Sequence, residues 1–353
     1  MFFSRSRNLV GLDIGTSSVK AVELKELGKG RGYQLVAAGM EPLAPEAIVD
    51  GAIMDSGMVA EAIQNLFTSS RIKGTDVAIS LSGHSVIIKK IGLPIMSTEE
   101  LAESIRWEAE QYIPFDVDDV NIDYQILEGP SIAGDGNMDI LLVAVKKEKI
   151  ADYTNVLTQA GKNALVADVD VFALQNAWEV NYEQGSDLVA LVNVGAGVTN
   201  IAIMRNGTSI FWRDISVGGH NYTDALQKEL NLSYEQAEAA KKGEASSVPR
   251  DRVMAIVDGV SEQVVTEIQK TLDFFKATSS SDAVSRIHIT GGAARTPNLV
   301  AHLSKRFQVP VEMMDPFRKI HFNERSFPRE QLEPMAAAAT VAVGLALRKV
   351  GDK

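Results

Sequence analysis

The stretch that decides the fold is NLVGLDIGTSSVKAVEL, residues 8–24. Two apolar runs flank a short turn of small and polar residues, and this pattern predicts a strand, a tight turn and a returning strand. Gly15 lets the backbone approach a ligand closely, and the amides and hydroxyls of Thr16 and Ser17 can then converge on an anion. Asp13 ends the first strand at the same point and would hold a cation there. A nucleotide triphosphate with Mg²⁺ meets both requirements, and an ordinary hairpin with a polar turn is the alternative for this stretch alone.

A second stretch repeats this design in the other half of the chain. Residues 188–203, LVALVNVGAGVTNIAI, give an apolar strand, a turn that begins at Asn193 and Gly195, and a second apolar strand. Two such hairpins are less often accidental than one, which favours a pair of phosphate-binding turns over duplicated structural hairpins. A third glycine turn, at Gly291, follows a predicted strand and precedes a helix expected from about Pro297.

Length and composition exclude several classes of function. A chain of 353 residues can form two or three compact units, and its 45% apolar and 23% charged residues are typical of a globular protein. The formal charge of −11 argues against general affinity for nucleic acid or an anionic membrane. With no cysteine, the chain has no disulfide, thiolate metal site or catalytic thiol.

The sequence also predicts a cytoplasmic protein without direct membrane insertion. The N-terminus does not show the pattern of a secretory signal. The longest uncharged apolar tract, 335–347, is Ala-rich and shorter than the ~20 residues that a membrane-spanning helix needs. We therefore expect this tract to form a buried helix.

Between the two hairpins, the pattern predicts a small inserted module. An amphipathic helix is expected at 55–67, in the first unit. From 84 to 166 the order is strand, helix, strand, strand, helix, with a glycine-containing loop at 129–137. Ser97 and Glu100 form a capping box that would open the first helix of this module.

The three glycine turns resemble, in their order, the motifs of the actin-like ATPase superfamily, whose two related domains close on ATP. GLDIGTSSVK resembles the first phosphate motif, NVGAGVTN the second and ITGGAARTPNL the adenosine motif. The resemblance implies an α/β actin-like ATPase fold, with two related domains around a nucleotide cleft and a small α+β subdomain inserted in the first. The implied units are subdomain 1A at 1–83, completed by 167–186 and 335–350, the inserted subdomain 1C at 84–166, and domain 2 at 187–334.

The same resemblance implies roles for individual residues. Asp13 would orient Mg²⁺ through water, and Asp168 or Asp170 would be the catalytic candidates beside the attacking water. Glu238 and Lys241 would flank the sugar and adenine, with a solvated helix pair as the alternative. The full set of implied nucleotide-binding residues is Asp13, Gly15, Thr16, Ser17, Lys20, Asn193, Gly195, Gly197, Thr199, Gly218, Gly219, Glu238, Lys241, Gly291, Gly292 and Arg295.

One departure from the superfamily pattern bears on catalysis. The second phosphate motif often begins with Asp, whereas this chain has Asn193, which cannot supply the charge that helps to hold the metal. We therefore expect ATP binding with at most slow hydrolysis, so that the nucleotide acts as a structural or conformational element.

Within the superfamily, the chain most resembles the PilM family of type IV pilus assembly proteins. The resemblance rests on EAEQYIPF at 108–115, DVDVFAL at 168–174 and EIQKTLDFF at 267–275. It implies a protein held at the inner membrane through its partners. The implied partner is the N-terminal cytoplasmic peptide of PilN, bound in a groove between the first subdomain and the inserted one. Other platform proteins and the pilus motor ATPases are further expected partners.

Three aromatic residues are the candidate anchors for the PilN peptide. Trp107, Tyr112 and Phe115 lie on or just after the first helix of the inserted module, which would wall the groove with the strand at 86–93. Their alternative role is plain core packing. Two other functions remain open: an FtsA-like cell-division or filament protein, and a small-molecule kinase of the same superfamily.

Overall fold

The computed structural model describes residues 9–28, 30–127, 134, 136–244, 248–279 and 283–352. Residue 8 and most of the loop predicted at 129–137 lie outside these ranges. The strands are β1 (Val10–Ile14), β2 (Ser18–Glu26), β3 (Tyr33–Pro42), β4 (Ile48–Val49), β5 (Ala52–Ile53), β6 (Asp76–Leu81), β7 (Val86–Pro94), β8 (Val120–Leu127), β9 (Asn137–Lys146), β10 (Asn163–Val169), β11 (Val189–Val194), β12 (Thr199–Arg205), β13 (Thr208–Ile215), β14 (Arg286–Thr290) and β15 (Val311–Met313). The helices are α1 (Ser56–Ser69), α2 (Thr98–Glu110), α3 (Lys147–Gln159), α4 (Asp170–Asn181), α5 (Gly219–Leu230), α6 (Tyr234–Lys241), α7 (Arg250–Thr278), α8 (Leu299–Phe307), α9 (Arg329–Ala336) and α10 (Thr340–Ala346).

Two five-stranded sheets share one topology. The first has the order β10-β6-β1-β2-β3, and the second has the order β15-β14-β11-β12-β13. In each, the strand before the glycine turn pairs antiparallel with the strand after it and parallel with a strand on its other side. The duplicated hairpins predicted from the sequence are therefore confirmed, and each hairpin lies at the centre of its sheet.

The inserted module is a three-stranded antiparallel sheet, β7-β9-β8, with α2 on one face. The capping box at the start of α2 is confirmed, since Glu100 N donates to Ser97 Oγ and Ser97 N donates to Glu100 Oε2. Leu101 and Ile105 of α2 are buried in one apolar cluster with Ile140, Leu142 and Ala144 of β9. Because side chains alternate along a strand, the intervening residues of β9 point to the opposite face of the sheet. Among the described residues β8 pairs only with β9, so it is an edge strand.

The C-terminal helix α10 packs directly on β1 and α4. A Cβ atom at Gly11 would lie 2.0 Å from the Ala342 carbonyl oxygen, and one at Gly344 would lie 1.7 Å from the Ala173 carbonyl oxygen. These two glycines therefore permit a backbone approach that any side chain would block.

Two helix predictions need correction. The tract at 335–347 is not one helix: α9 ends at Ala336, a 3₁₀ turn spans Ala337–Ala339, and α10 follows. Because of the 3₁₀ turn, the Ala337 carbonyl oxygen accepts a hydrogen bond of 2.9 Å from Gly291 N. In an uninterrupted α-helix this carbonyl would bond to an amide of its own helix instead. After the third glycine turn, α8 begins at Leu299 rather than near Pro297, because a 3₁₀ turn at Gly292–Arg295 comes first. In the described ranges no helix combines the length and the hydropathy needed to cross a membrane.

Candidate functional site

The two glycine turns are built alike. Gly15 N donates to Ser18 O at 3.1 Å, and Gly195 N donates to Val198 O at 3.0 Å. One register position before each turn, Asp13 stands opposite Lys20, and Asn193 stands opposite Asn200. The first pair is an ion pair with 3.1 Å between Lys20 Nζ and Asp13 Oδ2, whereas the second is a hydrogen bond of 2.8 Å between two amides. The first turn therefore carries the charges and the second turn is neutral.

The two turns face each other across a cleft. A Cβ atom at Gly197 would lie 3.4 Å from Thr16 Oγ1, so residues of opposite hairpins approach each other there. The start of α5 closes over the second turn, because Gly219 N donates to Gly195 O at 2.9 Å and His220 N donates to Ala196 O at 2.8 Å. A Cβ atom at Gly218 would collide with the Gly195 carbonyl oxygen at 2.6 Å. The structure thus brings together the first glycine turn, the second glycine turn and the predicted pair Gly218 and Gly219 at the start of α5.

The two predicted catalytic carboxylates lie in different surroundings. Asp170 accepts a hydrogen bond of 2.6 Å from Ser80 Oγ, and burial, followed by the nearby charge of Asp13, raises its pKa to about 6. Asp168 instead lies 3.5 Å from Arg348 Nη1, and burial is the main cause of its raised pKa. Asp170 therefore belongs to the charged group around Asp13, and Asp168 pairs with the C-terminal segment.

A chain of hydrogen bonds that the sequence did not reveal crosses the cleft. Asn193 Nδ2 donates to Asn200 Oδ1, and Asn200 Nδ2 donates to Asp214 Oδ1, both at 2.8 Å. Asp214 Oδ2 then accepts from the N–H of Gly83 in the first unit at 2.8 Å. Asp214 lies on β13, opposite Asn200, so only the strand pairing of the fold places it here.

Lys149 of α3, the helix that follows β9, is another unpredicted member of the site. Its Nζ donates to the carbonyl oxygens of Ser82 at 2.9 Å and Gly51 at 3.3 Å. Burial lowers the pKa of Lys149, against the opposing effects of the Asp170 and Asp214 carboxylates. Helix α3 thus reaches the same group of charges through Lys149.

The predicted Glu238 and Lys241 pair is largely buried. The Lys241 ammonium contacts the Glu238 carboxylate, Thr223 Oγ1 at 2.9 Å and the Gly219 carbonyl oxygen at 3.2 Å. Burial alone would raise the pKa of Glu238, but the Lys241 charge and the hydrogen bonds from Lys241 and Thr223 bring it below its ordinary value. Exposed side-chain fractions of 13% and 21% exclude a solvated surface pair. The pair joins α6 to the start of α5, beside the second turn.

The third glycine turn lies against the second. Gly291 has φ +96°, and a Cβ atom there would lie 2.3 Å from the Val194 carbonyl oxygen. Gly292 and Arg295 are exposed, and Arg295 Nη1 donates to the Glu333 carbonyl oxygen at 2.9 Å. Gly291 is thus the contact between the third turn and the second hairpin, while Arg295 is tied to α9.

The carboxylates present fit a metal ion only together with a phosphate ligand. Within the described ranges, no three His, Asp or Glu side chains come close enough to hold a metal ion by themselves. Mg²⁺ usually keeps several waters and takes one or two carboxylates with phosphate oxygens. Asp13 and Asp170, beside the first turn, would supply the carboxylates of such a site.

A cavity of about 480 Å³ lies on the face of the inserted sheet opposite α2. Its walls come from β8 and β9, from α4 and from the turn between β12 and β13, and the Asp168–Arg348 pair lies at its margin. The lining side chains include Asp123, Leu141, Val143, Phe172, Gln175, Glu179 and Trp212. The cavity therefore lies between the inserted sheet and α4 of the first unit, with the β12–β13 turn and Trp212 of the second unit as a further wall. The sequence predicted a groove between the first unit and the inserted module only.

The three predicted anchors do not line this cavity. Trp107 is 75% exposed on α2, while Tyr112 and Phe115 pack partly buried against the apolar cluster under α2. The Lys146 ammonium lies 4.6 Å from the centre of the Phe115 ring. These residues lie on the α2 side of the inserted sheet, so the cavity has other walls than those predicted.

Comparison with known families gives one match over most of the chain. The family model described as type IV pilus assembly protein PilM matches residues 11–350. Among curated proteins, cell division protein FtsA of Staphylococcus epidermidis is 25% identical over 304 residues, which is 75% of this chain and 62% of that protein. The chain thus spans less than two thirds of the length of this relative. Ethanolamine utilization protein EutJ of Escherichia coli is 22% identical over 44% of the chain and 47% of that protein.

Solved structures give the same fold. A PilM–PilN type IV pilus biogenesis complex has a TM-score of 0.87 and 26% identity, covering 98% of this chain and all of that one. MreB5 of Spiroplasma citri bound to ADP has a TM-score of 0.52 and 13% identity, covering 95% and 94%. These likenesses confirm the actin-like ATPase fold predicted from the glycine turns.

Proposed function

The chain belongs to the PilM family of type IV pilus assembly proteins, and from that premise we propose that it is a cytoplasmic nucleotide-binding scaffold of the pilus assembly platform. Its two turns hold ATP with Mg²⁺ between them, and its cavity holds the N-terminal cytoplasmic tail of PilN. The observation that carries this proposal is the pair of duplicated turns facing each other at Thr16 and Gly197, with a separate cavity beside the inserted module. Binding of the tail would keep the protein at the inner membrane.

In the proposed nucleotide site, each of the three turns contacts a different part of the nucleotide. The backbone amides of the first turn, at Gly15, Thr16 and Ser17, cradle the β- and γ-phosphates, because a glycine there leaves the backbone accessible. The Lys20 ammonium, which pairs with Asp13, adds positive charge at the same place. The second turn closes from the other side, and the third turn with the Lys241–Glu238 pair borders the sugar and base.

Slow hydrolysis follows from the difference between the two turns. Asp170 has the raised pKa of a group that can take a proton from water near neutral pH. On the opposite side, however, the neutral pair of Asn193 and Asn200 gives no charge to a metal ion. We expect a steady-state phosphate-release assay to show few turnovers; many turnovers per minute, lost in Asp13→Ala, would contradict this assignment.

The cavity fits an extended peptide. The edge strand β8 offers backbone hydrogen-bonding groups to an added strand. Leu141, Val143 and Phe172 form an apolar wall for aliphatic side chains, and Asp123 and Glu179 favour a basic residue in the peptide.

The experiment is a titration of the protein with a synthetic peptide of the PilN N-terminal tail, followed by fluorescence anisotropy. The proposal predicts saturable binding, weakened at least tenfold by Val143→Lys in the cavity and unchanged by Trp107→Ala on α2. The change Tyr112→Ala or Phe115→Ala tests the α2 side as the alternative contact. No saturable binding to the wild-type protein would overturn the peptide assignment while leaving the nucleotide site intact.

An FtsA-like role is the second candidate, because curated FtsA proteins match most of the chain. That role predicts direct association with lipid. Co-sedimentation with liposomes in the absence of any partner would favour it, and its absence would favour the pilus scaffold. Other platform proteins and the pilus motor ATPases are proposed partners without an assigned surface.

A further inference from the structure

Lys149 lies between the nucleotide cleft and the cavity. It is in the first turn of α3, and its ammonium donates to the carbonyl oxygens of Gly51 and Ser82. Ser82 precedes Gly83, whose N–H donates to Asp214 in the cleft. The next residue, Ile150, lines the cavity. One turn of helix therefore contacts both places.

The Lys149 ammonium is hydrogen-bonded to neutral carbonyl groups, although carboxylates of the cleft also attract it. In the described part of the chain the two carbonyls are its hydrogen-bond acceptors, and the centre of the Tyr153 ring lies 5.6 Å from its Nζ. The third N–H group therefore has no oxygen acceptor among the described residues. Asp170 and Asp214 attract it from the cleft. Lys20, in contrast, is paired with Asp13. Lys149 is thus the cation whose partners can change when a new anion arrives.

We propose that Lys149 couples the two ligand sites: a nucleotide phosphate competes with the Ser82 and Gly51 carbonyls for its ammonium, and the resulting movement of α3 changes the wall that Ile150 contributes to the cavity. This inference rests on the proposed function, because it names how the nucleotide site and the peptide site regulate each other. Coupling of this kind is reciprocal, so each ligand changes the affinity of the other by the same factor.

The construction of α3 supports such a movement. The helix follows β9 without a linker, and no side chain caps its N-terminus. Movement of its first turn therefore also reaches the end of β9, where Val143 and Val145 line the cavity. Gly51 has φ +76°, and a Cβ atom there would lie 3.1 Å from Lys149 Nζ, so the lysine is seated closely against the backbone.

The test is a linkage measurement. Peptide affinity is measured with and without Mg-ATP for the wild-type protein, for Lys149→Met and for the control Lys147→Met. Lys147 lies on the same helical turn but is exposed and donates to Asp118 O, away from the cleft. We expect Mg-ATP to change the peptide affinity of the wild type and of Lys147→Met by about fivefold or more. In Lys149→Met this ratio should fall to about one, while the peptide still binds.

A ratio of one in the wild type, or an unchanged ratio in Lys149→Met, would overturn the inference. Hydrogen exchange of α3 provides a readout that needs neither the peptide nor the variant. Mg-ATP should alter amide protection at 147–159 in the wild type, and equal protection with and without Mg-ATP would also overturn the inference. If the peptide does not bind at all, the proposed peptide site fails, but hydrogen exchange still tests Lys149. An α3 response to Mg-ATP that is lost in Lys149→Met would support the inference, and a response that persists in Lys149→Met would overturn it.

Discussion

Asp170 connects the stability of the protein to pH. Burial and the neighbouring Asp13 charge raise its pKa from 3.8 to about 6. The folded protein therefore keeps a proton that the unfolded chain has lost, and the free energy of unfolding falls as the pH rises from about 4 to about 6. Above that range the ionised carboxylate costs about 3 kcal/mol, at about 1.4 kcal/mol for each pH unit.

Replacement of Asp170 by Asn removes this titration and keeps an oxygen that can accept from Ser80 Oγ. Relative to the wild type, Asp170→Asn should gain about 1.4 kcal/mol more stability at pH about 7.5 than at pH about 5, measured by urea unfolding. Asp152→Asn, an exposed change on α3, is the matched control and should show no such difference. The same stability difference for Asp170→Asn at both pH values would show that the pKa of Asp170 is not raised in the folded protein. Mg-ATP should reduce the gain, because a cation beside Asp13 stabilises the ionised carboxylate.

Further predictions concern the second and third turns and the Lys241–Glu238 pair beside them. Gly291→Ala should lower stability by about 1–3 kcal/mol in urea unfolding, because φ is +96° and the new methyl group meets the second hairpin; Gly259→Ala, in open space on α7, should not. Lys241→Met should cost about 1–3 kcal/mol by leaving Glu238 without its cation, and adding Glu238→Gln should recover part of that loss. Gly197→Val should weaken ATP binding by about tenfold or more in calorimetry, because the side chain fills the space between the two turns. An unchanged value in any of these measurements would contradict the corresponding assignment.

Features that depend on neighbours in sequence were predictable. The two hairpins could be predicted because a period-two apolar pattern and a glycine turn lie within about 16 residues. The start of α2 was predictable for the same reason, since Ser97 and Glu100 are three residues apart. The repetition of the hairpin then indicated two related units, and the shared strand order of the two sheets confirms them.

Lys149 and Asp214 could not be assigned to the cleft from the sequence. Their places there depend on how the inserted module and β13 pack, over separations of more than about 100 residues from Asp13. Neither belongs to a spaced motif, so no local pattern marks them.

One feature of the sequence marks the face of the inserted sheet that borders the cavity. Residues 140–145 read ILLVAV, an unbroken apolar run, which indicates a strand covered on both faces. α2 covers one face, through Ile140, Leu142 and Ala144, and the other face borders the cavity. The groove could therefore have been placed on the second face, away from Trp107.

In the proposed function, the cavity beside β8 captures the PilN tail while the turns hold Mg-ATP. Hydrogen exchange with and without a PilN-tail peptide, at saturating Mg-ATP, tests it most directly. We expect new amide protection on β8 at 120–127, the edge strand of the cavity, and no change on α2 at 98–110. Protection confined to α2, with β8 unchanged, would contradict it.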